Sequence, residues 1–324
     1  MTTYFITGGL GFLGQYIVQA VHGHDPAAEL RVLVRTRRRT HLQVETLDRI
    51  HWVQGELTNP ASFGDQLAGV DTVIHNAALV SFDPADGKAV IRSNVEGTRN
   101  LLQAALQAGC RNFIFISSIS AMEYRPPITD ESMVPDLEWK RRKDVYGYSK
   151  LVSEAELQAV KDQMRVIILN PSVILGPGSQ ESNRIANTLR YLPVVPMMSY
   201  INSFVDVRDV AQAVVLALTR GVSGERYIVT GTNINMLEFV RTVMKVMKKR
   251  AWVLPLSRSS LGWADAALAG LRRLGLAPGV RPLAEMNVDK PCSTEKIRQA
   301  MGWEPAYSLE ESIRAALEFA RTAS

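Results

Sequence analysis

A tyrosine and a lysine four residues apart, Tyr146 and Lys150, form the clearest chemical pattern in this 324-residue sequence. On a helix, positions i and i+4 lie on one face, so both side chains can point into the same cleft. A nearby ammonium favours the phenolate and brings the pKa of a tyrosine down towards working pH. Tyr146 is therefore predicted to donate a proton to a carbonyl oxygen, or to remove one from an alcohol. Tyr148 is the competing tyrosine, but its offset of two from Lys150 puts it on another helix face.

Two neighbouring serines, Ser117 and Ser118, follow a short apolar run that is predicted to be a strand. Doubly wound folds bind their ligands at the carboxyl ends of parallel strands. A hydroxyl there can donate a hydrogen bond to a substrate oxygen and stabilise the negative charge that develops on it. Ser118 is the predicted third catalytic residue, and Ser117 is its rival.

Three glycines, Gly8, Gly11 and Gly14, form a G-x-x-G-x-x-G pattern directly after the first apolar run. Glycine permits a tight turn and a close approach of the backbone to a pyrophosphate. The helix that begins here offers free N–H groups and the positive end of its dipole to the phosphates. Together with a proton-transferring tyrosine, the pattern predicts a nicotinamide dinucleotide, and Phe12 and Leu13 belong to the same predicted cofactor-binding turn.

The residue after the second predicted strand indicates which nicotinamide cofactor is bound. An NAD site usually has an acid there for the ribose 2′-hydroxyl, whereas an NADP site has an arginine for the 2′-phosphate. Here the strand Leu30–Val34 is followed by Arg35, and no acid occurs before Glu45. Arg35 is the first choice for the 2′-phosphate, assisted by Arg38 or Arg39, because the guanidinium fork binds phosphate in bidentate fashion. The sequence therefore predicts NADP(H) in preference to NAD(H).

Further cofactor contacts are predicted where the third and fourth strands end. Glu56 and Leu57 follow the third strand and are predicted to lie near the adenine. Ala77 and Ala78 are small residues after the fourth strand, where the backbone can pass close to the cofactor. His75, in the same turn, is predicted to be a packed strand-end residue rather than a catalyst.

These residues require a parallel sheet whose strand ends bring them together. Short, nearly all-apolar strands alternate with helical patterns, which is typical of a doubly wound α/β fold with a sheet covered on both faces. The predicted strands are Tyr4–Ile6, Leu30–Val34, Ile50–Val53, Thr72–His75, Phe113–Ile116, Val166–Leu169 and Arg226–Val229. The predicted helices are Gly14–Val21, Val90–Ala108, Tyr146–Lys161, Val207–Leu218, Leu237–Lys248, Leu261–Leu274 and Leu309–Ala320.

The same patterns divide the chain into two regions. Residues 1–169 are predicted to form the dinucleotide-binding domain, and residues 204–230 return to it. Residues 170–203 and 231–324 are predicted to form a smaller C-terminal substrate-binding region. The segment from Asn170 to Tyr200 is rich in Pro and Gly and is therefore predicted to be a loop outside the sheet.

Composition and charge exclude several other classes of protein. The net charge of +5 is modest and partly concentrated in residues 35–39, which suits one anionic ligand better than a nucleic-acid partner. The two cysteines, Cys110 and Cys292, lack metal-ligand spacing, so we predict no metal site and reduced thiols in a cytoplasmic protein. No secretory signal is predicted, and no stretch reaches the roughly 18 apolar residues of a membrane span.

The predicted substrate region is apolar. Leu192–Met198 and Trp252–Leu256 are rich in large apolar residues, as is the helix predicted over Leu261–Leu274. Such surfaces favour a hydrophobic small-molecule substrate, with an ordinary core stripe as the alternative. Arg272 and Arg273 on that helix leave weak contact with a membrane surface as an open alternative.

Taken together, these residues resemble the extended short-chain dehydrogenase/reductase family, within the NAD-dependent epimerase/dehydratase superfamily, over nearly the whole chain. Besides the glycine turn, Ser117-Ser118 and the Tyr146/Lys150 pair, the marks of the resemblance are His75–Ala78, Asn94, Gly97-Thr98, Pro171–Val173, Gly176–Gly178 and Phe204–Ala211. The resemblance implies a Rossmann domain, a Ser–Tyr–Lys catalytic set and a homodimer. It also implies that Asn94, Pro171 and Val173 belong to the cofactor site, with Pro171 and Val173 beside the nicotinamide.

Within that family, the residues are closest to the branch of 3β-hydroxysteroid dehydrogenases and dihydroflavonol-4-reductase-like enzymes. Nucleotide-sugar epimerases often carry an Arg where Asn202-Ser203 stand here, and a substrate diphosphate needs cations. Asn170 does match an asparagine that those epimerases use near the diphosphate. Dehydratases have an acid pair just after the catalytic serine, whereas Asp130-Glu131 come later in this chain.

The sequence thus predicts an NADP(H)-dependent oxidoreductase that interconverts a ketone and a secondary alcohol on a hydrophobic substrate, which is steroid-like, lipid or flavonoid-like. A nucleotide-sugar epimerase or dehydratase is the alternative within the family. A non-catalytic NADP(H)-sensing regulator is the alternative from another class.

Overall fold

The computed structural model describes residues 1–37, 39–179, 189, 192–256, 266, 269–270 and 288–322. Seven of the strands in this part of the chain form one sheet with the order β10-β6-β5-β4-β1-β2-β3, and every neighbouring pair is parallel. The described strands are β1 (Thr3–Thr7), β2 (Glu29–Val34), β3 (Ile50–Gln54), β4 (Thr72–His75), β5 (Asn112–Ile116), β6 (Arg165–Pro171), β7 (Val173–Leu175), β8 (Val194–Met198), β9 (Ile201–Asp206), β10 (Glu225–Val229), β11 (Thr232–Asn235) and β12 (Trp252–Leu256).

The doubly wound parallel sheet predicted from the sequence is confirmed. Every residue of β1 and β4 is buried, because helices cover both faces of the sheet. The helices are α1 (Phe12–His24), α2 (Gly87–Ile91), α3 (Gly97–Gln107), α4 (Leu137–Lys143), α5 (Val145–Gln158), α6 (Val207–Arg220), α7 (Met236–Val246), α8 (Glu295–Met301) and α9 (Leu309–Thr322). Side chains of α1 and α6 fill the core on one face, and those of α3 and α5 fill it on the other.

The strand order reverses between β1 and β4, and this reversal creates the binding crevice. From β1 the chain builds β2 and β3 on one side, then crosses to β4, β5 and β6 on the other. The connections after β1 and β4 therefore leave the sheet in opposite directions, which opens a crevice outside their carboxyl ends. The glycine turn and the turn at Ala77-Ala78 both lie at this crevice.

Most predicted helices are confirmed to within a few residues, with one interruption. The helix predicted over Val90–Ala108 contains a π-helical turn at Arg92–Glu96, between α2 and α3. The helix predicted over Leu261–Leu274 lies almost entirely outside the described residues. Among the helices that are described, none is long and apolar enough to cross a membrane.

The prediction of a loop from Asn170 to Tyr200 is wrong for part of that segment. It contains the end of β6, all of β7, which pairs with β9 in a three-stranded sheet, and β8, which pairs in parallel with β12. Pro196, which lies in β8, was one of the residues that favoured a loop. A two-stranded ribbon has only edge strands, and an edge strand tolerates a proline because the outward N–H is not needed for pairing.

The C-terminal residues are attached to α6 by buried polar contacts. The Trp303 side chain is 1% exposed, and its indole N–H donates to the Asp209 carbonyl at 3.0 Å. The Asp209 carboxylate accepts hydrogen bonds from the backbone N–H groups of Ala306 and Tyr307 at 3.0 and 3.3 Å. Trp303 also belongs to the apolar core that α1 and α6 form against the large sheet. Residues 295–303 therefore pack on the dinucleotide-binding sheet.

Replacing Trp303 tests this attachment. Trp303→Ala is expected to lower the free energy of unfolding by about 3–5 kcal/mol, because it leaves a cavity in the core. Trp252→Ala is the matched control, since that side chain is 82% exposed and its loss is expected to change stability by no more than about 0.5 kcal/mol. Urea unfolding of both variants measures the difference, and equal losses would show that Trp303 does not anchor the C-terminal residues.

Candidate active site

The glycine turn forms a cradle that only glycine can build. Gly8 has φ +71°, and a Cβ there would lie 2.8 Å from the backbone nitrogen of Ala77. A Cβ at Gly14 would overlap the carbonyl oxygen of Gly8. Gly11 is the N-cap of α1, and among the described residues no side chain caps this end and no acid occupies the first turn. The helix therefore presents free N–H groups to an anion, as a cofactor pyrophosphate requires.

A buried histidine holds the two strand ends of this cradle together. His75 Nδ1 lies 2.7 Å from Thr7 Oγ1, and His75 Nε2 lies 2.8 Å from Thr98 Oγ1. The Thr7 hydroxyl also accepts a hydrogen bond from the backbone N–H of Ala77 at 3.1 Å. Burial, assisted by the charge of Lys150, lowers the pKa of His75 to about 3, so its ring is neutral. As predicted, His75 is a packed strand-end residue.

A basic cleft lies beside β2 and β3, where the adenosine end of a dinucleotide is expected. Its volume is about 340 Å³, and its described lining is Leu10, Arg37, Arg39, Glu45 and Trp52. The Arg37 guanidinium lies 5.7 Å from the centroid of the Trp52 ring. The Glu45 carboxylate accepts hydrogen bonds from the Thr40 hydroxyl and N–H at 2.8 and 3.2 Å, so its charge is already engaged.

The arginines that line the cleft are only partly those predicted from the sequence to bind the 2′-phosphate. Arg35 follows β2 directly and has an exposed side chain, while Arg38 lies outside the described residues. Arg39 lines the cleft, together with Arg37, which was not selected from the sequence. The only sequence signal for Arg37 was its place in the run from Arg35 to Arg39.

The Asn94 side chain connects the loop after β4 with helix α5. Its amide group donates to the carbonyl of Leu79 at 3.0 Å and to the hydroxyl of Ser149 at 3.0 Å. Its Oδ1 accepts from the Leu79 N–H at 2.8 Å. These bonds occupy the side chain, which the π-helical turn directs towards α5. Asn94 therefore positions the loop after β4 against the helix that carries Tyr146.

The other predicted cofactor residues surround the crevice. Leu13 is buried and Phe12 half-buried at the start of α1, and Ala77 is half-buried while Ala78 is exposed. Glu56 is exposed, and Leu57 packs against Gly97, where a Cβ would lie 3.0 Å from that of Leu57. Pro171 ends β6, and Val173 begins β7.

The helix α5 presents Tyr146 and Lys150 on one buried face. The two side chains are 8% and 3% exposed. The helix begins after Asp144, whose carboxylate caps it by accepting from the Gly147 N–H at 2.9 Å. The Tyr146 hydroxyl is hydrogen-bonded to the Ser118 side chain, whereas the Ser117 hydroxyl donates to Glu154. The structure thus brings Ser118, and not its rival, to the tyrosine.

The charge states at this site differ from the sequence expectation. Burial raises the pKa of Tyr146 to about 12, although the hydrogen bond with Ser118 opposes the rise. Burial lowers the pKa of Lys150 to about 7, opposed by the charge of Glu154. The expected depression of the tyrosine pKa by the ammonium is absent, because Lys150 Nζ donates to the Ile116 carbonyl at 2.7 Å and desolvation of the phenol dominates. Tyr146 is therefore a protonated phenol at neutral pH, ready to donate.

Glu154 is a buried site residue that the sequence argument missed. It lies four residues after Lys150 on the same face of α5 and is fully buried. Asn170 donates to Glu154 Oε1 at 2.6 Å, and Arg226 forms an ion pair with Oε2 at 2.8 Å. The available signal was the continuation of the four-residue spacing from Tyr146 through Lys150.

The surface next to Tyr146 is apolar. The Phe82 ring meets the Tyr146 ring edge-on, with 5.5 Å between centroids. Leu79 and Val80, in the same loop, are exposed large apolar residues, as is Phe82. The predicted apolar wall at Leu192–Met198 is partly core, because Val195 and Met198 are buried.

Glu131 accepts a hydrogen bond from the Ile228 N–H at 2.8 Å and so supports β10.

Comparisons with known proteins agree with this geometry. Residues 4–230 match the NAD dependent epimerase/dehydratase family. A putative dihydroflavonol 4-reductase of Synechocystis sp. is 33% identical over 72% of this chain and 69% of its own length. A 3-beta-hydroxysteroid dehydrogenase of Mycolicibacterium neoaurum is 27% identical, and that match covers 97% of this chain and 90% of the relative.

A solved structure shares this fold. A UDP-glucuronic acid 4-epimerase from Bacillus cereus superposes with a TM-score of 0.79 and 18% sequence identity, covering 100% of both chains. At this identity the likeness concerns the fold and not the substrate.

Glycine substitutions in α1 test the cradle. Gly14→Ala is expected to weaken NADPH binding by about tenfold to a hundredfold, because the added methyl group overlaps the Gly8 carbonyl and the turn must shift. Gly23→Ala is the matched control near the other end of the same helix, where a Cβ would have no neighbour within 4 Å. We expect this control to bind NADPH as the wild type does, as measured by fluorescence titration. Unchanged binding by Gly14→Ala would refute the cradle.

Proposed function

The chain belongs to the NAD-dependent epimerase/dehydratase family, and we propose that it is an NADP(H)-dependent reductase of ketones on a hydrophobic substrate. The protonated phenol of Tyr146 carries the proposal, since it is hydrogen-bonded to Ser118 and lies beside the exposed apolar residue Phe82. A proton donor next to an apolar surface suits an uncharged carbonyl compound. The steroid-like, lipid and flavonoid-like ketones considered from the sequence all have this chemistry.

Each residue of the site has its own role in the reaction. NADP(H), when bound at the glycine cradle, supplies or accepts the hydride. Tyr146 donates its proton to the substrate oxygen, and the Ser118 hydroxyl donates a hydrogen bond to the same oxygen as negative charge develops there. Lys150 lies on the same helix face, and its protonated side chain is proposed to bind the hydroxyls of the cofactor ribose. Tyr146 and Lys150 are buried and Ser118 is half-buried, which limits the competition of water for these contacts.

The cradle and the basic cleft support NADP(H) in preference to NAD(H). Arg37 and Arg39 line the cleft, and Arg35 lies at the end of β2, where an NAD site would carry an acid. Guanidinium groups bind a phosphate strongly and in bidentate fashion. Glu45 lines the same cleft, and its carboxylate accepts a hydrogen bond from the Thr40 hydroxyl.

Two observations favour a hydrophobic ketone over a nucleotide sugar. Asn170 is fully buried, and its amide nitrogen is used by Glu154 and by the Ser118 carbonyl, so it does not offer a donor to a diphosphate. The relatives named a dihydroflavonol 4-reductase and a 3-beta-hydroxysteroid dehydrogenase support the same choice.

We also propose a homodimer in the cytoplasm, as the family resemblance and the reduced cysteines suggest.

Tyrosine substitutions test the proposed chemistry. Tyr146→Phe is expected to reduce turnover of a hydrophobic ketone by about 10²–10⁴-fold while NADPH binding stays unchanged, because only the proton donor is lost. Tyr148→Phe is the matched control on another face of α5 and is expected to retain turnover. Ketone reduction followed by NADPH absorbance measures both. Retained turnover in Tyr146→Phe would contradict the proposal, and turnover of a UDP-sugar without net NADPH consumption would establish an epimerase.

Arginine substitutions test the cofactor preference. Arg37→Ala and Arg39→Ala are each expected to weaken NADPH binding by about tenfold and to leave NADH binding nearly unchanged, because each removes a charged hydrogen bond to the 2′-phosphate. Arg241→Ala, an exposed position on α7, is the control. Equal affinity of the wild type for NADPH and NADH, measured by titration, would contradict the preference.

A further inference from the structure

We propose that Glu154 is a positioning residue that holds Ser118 at Tyr146 and keeps the side chain of Lys150 positively charged during catalysis. The inference rests on the proposed function for its catalytic consequence, but one of its tests requires only cofactor binding. Glu154 is fully buried on the face of α5 that carries Tyr146 and Lys150.

Glu154 connects α5 to three neighbouring strands of the sheet. Its Oε1 accepts a hydrogen bond from the hydroxyl of Ser117, which follows β5. The same oxygen accepts a second hydrogen bond, at 2.6 Å, from the amide of Asn170 in β6. Its Oε2 lies 2.8 Å from an Arg226 nitrogen, in β10. We name Glu154, Ser117, Asn170 and Arg226 the Glu154 cluster.

A continuous path of contacts leads from the Glu154 cluster to the tyrosine. The Asn170 amide that donates to Glu154 also donates to the backbone carbonyl of Ser118 at 3.1 Å. Ser117, the other partner of Glu154, precedes Ser118 in the chain. The Ser118 hydroxyl is in turn hydrogen-bonded to Tyr146. Glu154 therefore fixes the backbone on either side of the catalytic hydroxyl without touching the substrate.

A carboxylate at this place also acts on Lys150 through its charge. Among the described titratable groups, Glu154 on α5 is the one whose charge acts on Lys150, and Lys150 in turn lowers the pKa of the neutral His75 on β4. Asp144, the cap of α5, acts on Tyr146. Glu154 is the anion that opposes the loss of charge from buried Lys150. Arg226 favours the ionised carboxylate, although burial raises the pKa of Glu154.

Stability alone does not explain a buried charge pair. Apolar residues of similar volume often match or exceed the stability of a buried ion pair, because removing two charges from water is costly. Here the pair lies beside a lysine whose charge the reaction uses. The buried carboxylate is therefore expected to act on Lys150 and Ser118 rather than to add stability.

The decisive variant is Glu154→Gln, which keeps the shape and loses the charge. Turnover requires protonated Lys150 and so declines as pH rises through the pKa of that lysine. In Glu154→Gln we expect this decline to move to lower pH by about one unit, because the lysine loses its neighbouring anion. A uniform loss of rate at every pH, or an unchanged profile, would overturn the proposal.

Two further variants separate this effect from folding. Glu156→Gln is the matched control two residues along α5, where the carboxylate pairs with Arg99 at the surface, and its profile is expected to equal that of the wild type. Glu154→Gln/Arg226→Met removes both charges, so it is expected to recover thermal stability that the single variant loses. The double variant should still show the displaced pH profile, and a return to the wild-type profile would overturn the proposal.

NADPH binding gives a readout that does not depend on the substrate. Lys150 is expected to contact the cofactor ribose, so wild-type affinity should decline as the lysine loses its proton, and this decline should move to lower pH in Glu154→Gln. Identical pH dependence of binding in the two proteins would overturn the inference. Suppose instead that the pH dependence of NADPH binding differs between the wild type and Glu154→Gln as expected, but that the wild type turns over no ketone. This result would contradict only the proposed function.

Discussion

The burial of one face of α5 against the carboxyl ends of β5 and β6 is the constraint on which the rest of the site depends. That face carries a phenol, an ammonium and a carboxylate, all removed from water. Polar groups buried in this way are costly unless each finds a partner. The partners are the Ile116 carbonyl for Lys150, Ser118 for Tyr146, and Ser117, Asn170 and Arg226 for Glu154.

The surrounding structure supplies those partners and also shapes the cofactor cradle. The reversal of strand order at β1 and β4 opens the crevice, and His75 ties the two strand ends together from below. The π-helical turn directs Asn94 to both Leu79 and Ser149, which sets the apolar loop after β4 against α5. The cradle, the proton donor and the apolar surface therefore occupy one edge of one sheet.

Local patterns in the sequence were sufficient to predict the fold and the placement of Tyr146 and Lys150 on one helix face. Apolar strands, helical periodicity and the glycine spacing are short-range signals, so the large sheet and the spacing of Tyr146 and Lys150 followed from them. The ribbon of β8 and β12 was missed because its strands contain prolines, which are more typical of loops. Ser118 was preferred to Ser117 from the sequence, and the structure adds the distant partner of each, which is Tyr146 for Ser118 and Glu154 for Ser117.

The remaining site residues depend on contacts between distant parts of the chain. Glu154 meets Asn170 and Arg226 only when β6 and β10 pair, and no spacing in the sequence indicates this. The pKa of Tyr146 was expected to fall, but the depth of burial, which a sequence does not state, reverses the direction.

The central claim is that this buried face donates a proton while a carbonyl carbon is reduced. The most direct measurement uses NADPH labelled with deuterium at the transferable position of the nicotinamide, mixed with the protein and a hydrophobic ketone. Mass spectrometry is expected to find one deuterium on the carbinol carbon of the alcohol product. Deuterium that stays on the nicotinamide with every hydrophobic ketone, while a UDP-sugar is interconverted, would contradict the claim.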